Sequence, residues 1–181
     1  MKIIITESQL KLLKESVQKE DLFRYWDKQK KSGIEPTMIN NFTKVNNINP
    51  HERELGSYWI EYNGGLETVV NKVIDFLDNK VFDINDYMDK INTGSYNFKF
   101  SVNTDTMQID HHNNIDVDLN VFDFSFEDPE TGEIITDIYT TDYPFEVIYE
   151  VTDICNLIMD SKLLTKFGFY FSVNKINFIK S

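Results

Sequence analysis

The stretch "IDHHNNIDVD", residues 109–118, holds the most metal-capable side chains of any short segment: Asp110, His111, His112, Asp116 and Asp118. Imidazole and carboxylate together suit a zinc or manganese ion. Adjacent side chains of a strand point to opposite faces, however, so only a turn could turn both histidines toward one ion. Asn113 and Asn114 tolerate the left-handed backbone that such a turn needs. The stretch therefore reads as an exposed hairpin tip, with no metal ligand assigned. Cys155 falls on an apolar helical stripe with no basic residue near it in sequence, which predicts a buried structural thiol rather than a nucleophile. Tyr58, Trp59 and Tyr62 could form an aromatic platform, but packing in a core or interface suits them better. The chain contains no G-x-S-x-G, P-loop or G-x-G-x-x-G pattern. The expectation is a protein with no catalytic residues and no cofactor, hence not an enzyme.

The elements that would position these residues follow from hydrophobic period. Leu66, Val69, Val70, Val73, Ile74 and Leu77 recur at helical spacing and predict an amphipathic helix over 66–79. A shorter helical piece, 84–91, follows with Asp83 as its N-cap. The period then changes to two. Tyr96, Phe98, Phe100 and Val102 alternate with polar residues, as do Ile115, Val117, Leu119 and Val121. Phe122, Phe124 and Phe126 continue on the opposite parity, the mark of a β-bulge. "EDPETGEI" has turn chemistry, and Ile134 to Thr140 makes a third strand. Val147, Val151, Ile154, Cys155 and Ile158 restore helical spacing over 145–160, and a final strand covers 167–179. The fold class expected is α+β: an N-terminal helical arm, then helices packed on one face of a roughly four-stranded antiparallel sheet.

The arm is read from "MKIIITESQLKLLKE". Thr6 and Gln9 stand at capping-box spacing, and Ile5 and Leu10 at that of a hydrophobic staple. Leu10, Leu13 and Val17 form a stripe on a helix of about eleven residues, too short to stand alone in water. Leu22, Phe23 and Trp26 form a second apolar face, and Gly33 supplies a left-handed stop. Prolines and asparagines after it place a soft boundary near Pro50, dividing the chain into an arm, 1–50, and a body, 51–181. Ile5, Leu10, Leu13, Val17, Leu22, Phe23 and Trp26 are the candidate partner-binding residues.

Composition bounds the setting. Alanine is absent, and arginine occurs twice against sixteen lysines, a bias of AT-rich genomes. With hydrophobic residues at 41%, the 181-residue chain can build a core and is not disordered throughout. One cysteine excludes an intrachain disulfide. The opening apolar run is three residues, too short for a signal peptide, and no stretch approaches a membrane span. A cytoplasmic origin without membrane association is expected.

"IIITESQLKLLKE" resembles an N-terminal segment of small, otherwise dissimilar proteins of AT-rich tailed bacteriophages, crAss-like gut phages among them, and "LFRYWDKQKKSG" is similar to a stretch that often follows it. The match covers roughly residues 3–33. It implies a virion-associated or accessory phage protein made in the host cytoplasm, and it carries no catalytic residue. Charge adds a second clue. Residues 100–161 contain fifteen Asp and Glu and no Lys or Arg, although the whole chain carries only −12. An acidic surface of that kind repels nucleic acid and favours basic partners, cations or solvent. The leading expectation is a phage structural or virion-associated interaction protein. Its partner would be a phage structural protein or another protein, with oligomerisation left open. The first alternative is an intracellular effector whose carboxylates mimic DNA against a host nucleic-acid-binding protein. The second is a carboxylate-dependent hydrolase, which needs two converging carboxylates.

Overall fold

A computed structural model describes residues 6–39, 52–92, 94–110, 112–136 and 145–180; within 10–18 and at 52 it describes the backbone only. The fold is α+β. Helix α1 spans Glu7–Lys31, α2 Glu52–Tyr62 and α3 Leu66–Leu77. Strand β1, Val81–Asp83, leads through one 3-10 turn, Ile84–Tyr87, into β2, Tyr96–Ile109. Then come β3, Asn114–Glu127, β4, Ile134–Ile135, the long helix α4, Phe145–Phe167, and β5, Tyr170–Phe178.

The two helical pieces expected in the arm are one helix. No Gly or Pro separates Thr6 from Gly33, so the polar residues between the two apolar faces continue the helical run. The start behaves as read: Thr6 Oγ1 accepts from Gln9 N at 3.2 Å, and Gln9 Oε1 accepts from Thr6 N at 3.0 Å. Ile5 and the side chain of Leu10 lie outside the described residues, so the staple does too. The piece expected over 84–91 is only the single 3-10 turn, capped as read by Asp83 Oδ1 on Asn85 N. Helix α2 and strand β1 were not foreseen, because neither carries a long enough apolar period.

β3 lies at the centre of the sheet. It pairs antiparallel with β2 on one side and with the short β4 at its far end, while β1 edges β2. The expected three-strand antiparallel meander holds along β2-β3-β4, with β4 a strand only at Ile134–Ile135 and residues 137–140 of the stretch expected to Thr140 outside the described residues. β1 adds an edge, and β5 joins β3 in parallel. The 23-residue α4 supplies the long crossover that a parallel partner requires. Ile115, Val117, Leu119 and Val121 are fully buried against α3 and α4, as are Phe98 and Phe100 from β2. The opposite face of the sheet is polar, with Asn103, Asp116, Asp118, Ser172 and Lys175 on it.

The parity switch is a bulge. Asn97 pairs with Ser125 but Lys99 with Phe122, so β3 carries one extra residue, and Asp123 takes φ 52° there. Phe124 thereby returns to the core, and Phe126 packs against it. A second bulge separates Val173 from Lys175 and lets Ile176 and Phe178 face the core as well. The last strand begins three residues later than expected. Phe167 still belongs to α4, which ends on Gly168 at φ 78°. On α3, Val69, Val73 and Leu77 are buried, whereas Leu66 is exposed.

Candidate functional site

The arm residues named from sequence divide into two groups. Ile5 and the side chains of Leu10, Leu13 and Val17 lie outside the described residues. Leu22 and Trp26 are buried in a second, smaller core with Met38 and Trp59, and Phe23 packs on its rim. This corrects the assignment of Leu22 and Trp26 as docking residues, since side chains with 1% and 0% exposure cannot touch a partner while α1 stays in place; Phe23 is half-buried. Trp26 meets the Trp59 ring edge-on at 4.6 Å, and Tyr62 at 5.0 Å. The Tyr62 hydroxyl donates to Asp27 Oδ1 at 3.0 Å; burial and then this carboxylate push its pKa up to about 12. Lys19 ion-pairs with Glu61. Trp59 and Tyr62, read from sequence as packing residues, are what α1 packs on.

Trp59 in turn ties α2 to the end of α4, because its Nε1 donates to the Lys166 carbonyl at 2.7 Å. Two glycines permit this approach. A Cβ at Gly168 would stand 3.2 Å from both Met38 Sδ and Trp59 Cδ1, and one at Gly56 would stand 3.2 Å from the Gly168 carbonyl. Interactions therefore cross the boundary proposed near Pro50, which itself lies outside the described residues.

The histidine stretch is a turn, as read, but not a free tip. Asp110 accepts from His112 N at 2.7 Å, from Asn114 N at 3.0 Å and from Asn114 Nδ2 at 2.9 Å. The Asn114 amide, above all, holds the Asp110 carboxyl below its ordinary pKa. Asn113, at φ 64°, accepts from Tyr170 N at 2.9 Å and reaches toward Gly56. The turn is thus packed against α2 and the start of β5, and the Asp110 oxygens are engaged in shaping it. His111 lies outside the described residues. Cys155 is buried, and burial pushes its thiol pKa up, away from thiolate chemistry. Asp160, half-buried on α4, accepts from Phe171 N at 2.7 Å; burial raises its pKa and this bond partly offsets the rise.

The acidic segment is not an unbroken field. On the open face of the sheet Lys99 reaches Asp83 at 3.9 Å and Asp123 at 3.3 Å, and Asp118 stands in register with Lys175. The shape least expected from sequence is basic. Two adjoining grooves, of about 310 and 300 Å³, share Glu35, Pro36 and Lys166. Lys80 and Lys162 line one; Lys30 and Lys72 line the other. Lys162 and Lys166 are visible in sequence as an i, i+4 pair, but nothing local brings Lys80 to them.

Comparison of the chain with models of known protein families, with curated proteins and with solved structures finds no match. No helix among the described residues is long and apolar enough to cross a membrane.

Proposed function

We propose that this chain is a bacteriophage-encoded, non-catalytic interaction protein associated with the virion. Its α+β body is a rigid acidic module, and the opening of α1 engages a protein partner. The observation that carries this reading is how α1 is held. Its C-terminal half is tied to the body through Leu22, Trp26, Asp27 and the Lys19–Glu61 pair, while its well-capped start at Thr6 to Gln9 is exposed. A helix start specified by both a capping box and a first-turn Glu7 keeps its form without burial. The partner-facing residues on this reading are Ile5, Leu10, Leu13 and Val17, and Leu22 and Trp26 serve as the anchor. The DNA-mimic reading is less favoured, because lysines interrupt the carboxylates on the open sheet face.

Mass spectrometry of purified phage particles tests the proposal. The protein is expected in particles, and the full-length double variant Leu10→Glu, Leu13→Glu is expected to fold yet drop out of them. Abundance in infected-cell lysate with absence from particles would overturn the virion assignment and favour the effector.

A further inference from the structure

We propose that the adjoining lysine-lined grooves between α1, α3 and α4 bind a compact phosphate-bearing polyanion. This goes beyond the interaction reading, which stands or falls separately. The grooves draw on distant parts of the chain: Lys30 ends α1, Lys72 lies on α3, Lys80 follows α3, and Lys162 and Lys166 occupy the last turns of α4. Among the described residues Glu35 is the one carboxylate lining either groove, and its contact with Lys166, at 3.9 Å, joins two largely exposed groups. Lys80 and Lys162 make no ion pair among the described residues. In a chain with thirty acidic and eighteen basic residues, unpaired lysines gathered in one place need a reason.

Their placement is built. The Lys80 ammonium sits 3.8 Å from the centre of the Phe76 ring, and Lys166 lies 5.0 Å from the same ring. Lys162 lies over Tyr87 at 5.1 Å. One aromatic ring of the groove lining thus has two like charges beside it. Burial, then Lys162 and Lys166, lower the pKa of Lys80, so the cluster holds a repulsion that an anion would relieve. The hydroxyls of Ser161 and Thr165 donate to carbonyls of their own helix, at 2.7 and 2.6 Å, so the charge that would meet an anion comes from the ammonium groups. Ammonium groups act as point charges without a planar fork, so several gathered together select by charge density and favour a polyvalent phosphate over a singly charged or extended dicarboxylate ligand. A groove of about 310 Å³ is at the small end of ligand sites and accepts pyrophosphate or a small phosphate ester.

Thermal unfolding of the full chain tests this, with sodium pyrophosphate, inorganic phosphate and succinate each compared against sodium chloride of equal ionic strength. Pyrophosphate is expected to raise the melting temperature by several degrees beyond its chloride control, with phosphate lower and succinate at the control. The double variant Lys80→Gln, Lys162→Gln is expected to melt higher than the native chain without ligand and to lose the pyrophosphate increment. Lys175→Gln, on the open sheet face, should keep it. In case the double variant misfolds, broadening of the pyrophosphate ³¹P resonance by the native chain gives an independent readout. Pyrophosphate acting no better than matched chloride and showing no broadening, or an increment that survives in the folded double variant, would overturn the proposal. An equal response to succinate would also overturn it, since the site would then be a general dianion trap.

Discussion

The molecule has two cores built on different terms. The larger spreads its burial over β2, β3, β5, α3 and α4, mostly through aliphatic side chains and phenylalanines. The smaller rests on Leu22, Trp26, Met38 and Trp59 and joins α1 to α2 and the end of α4. In the first, each side chain has many equivalent neighbours. In the second, two indoles carry most of the buried area, and a single loss has nothing to replace it. The sheet core should therefore set global stability, and the aromatic core should set whether α1 stays attached.

The strongest break in this comparison is Trp26→Ala against Phe100→Ala. Each should cost about 3–5 kcal/mol, as large aromatic truncations in cores do. Phe100→Ala is expected to lower the one global unfolding transition. Trp26→Ala should strip hydrogen-exchange protection from α1 first and leave β3 protected. Equal loss of protection in α1 and β3 would show that the two cores unfold as one unit.

Gly168→Ala strikes the seam between them. A methyl group 3.2 Å from Met38 and Trp59, on a backbone at φ 78°, should cost about 1–3 kcal/mol through overpacking, with the left-handed backbone adding to it. Urea unfolding followed by tryptophan fluorescence should shift more than unfolding followed by far-ultraviolet dichroism. A neutral result would mean that the two cores do not meet tightly there.

Salt separates the cores by charge. The acidic segment supplies β3 and most of α4, so raising salt from low to physiological levels, which shortens the Debye length from ~30 Å to ~8 Å, should raise the melting temperature. A flat response would mean that Lys99, Lys175 and their neighbours already neutralise the sheet.

Two carboxylates sharpen the comparison through pH, with opposite signs. The ionised form of Asp110 is the one that the turn bonds, so its contribution is complete above the ordinary carboxylate pKa and is lost as pH falls through its lowered value. Asp160 has a raised pKa; its contribution is complete below the ordinary value and is lost as pH rises through the raised one. Asp110→Asn should thus reduce stability at neutral pH and narrow its gap from the native chain in acid. Asp160→Asn, whose amide oxygen can still accept from Phe171, should be neutral or stabilising at pH 7. Acid titrations followed by dichroism decide both. The smallest effect belongs to Thr6→Ala. Losing the cap costs the helix about 1 kcal/mol, but at an exposed end it should leave the global melting temperature in place while increasing amide exchange at Gln9.

Much of the fold was legible because the direction of a side chain repeats locally. The period of two in Ile115 to Val121, the switch at Phe122 to Phe126 and the stripe from Val147 to Ile158 all appear in the structure, with the switch realised as the bulge at Asp123. The capping box and the turn at Asp110 were equally local, since their partners lie within four residues. Other features depended on where distant segments meet. A strand's pattern does not record whether its partner runs parallel, so β5 on β3 could not be read from Phe167 to Phe178. An apolar face on a helix looks the same whether it waits for a partner or lies on its own body, so the tertiary structure decided that Leu22 and Trp26 are core. The same reason hid the grooves. The sequence by itself determined that the chain has few bases and where they lie; only the packing of α3 beside the end of α4 brought Lys80 to Lys162 and Lys166, because charge has no period that betrays its neighbours in space.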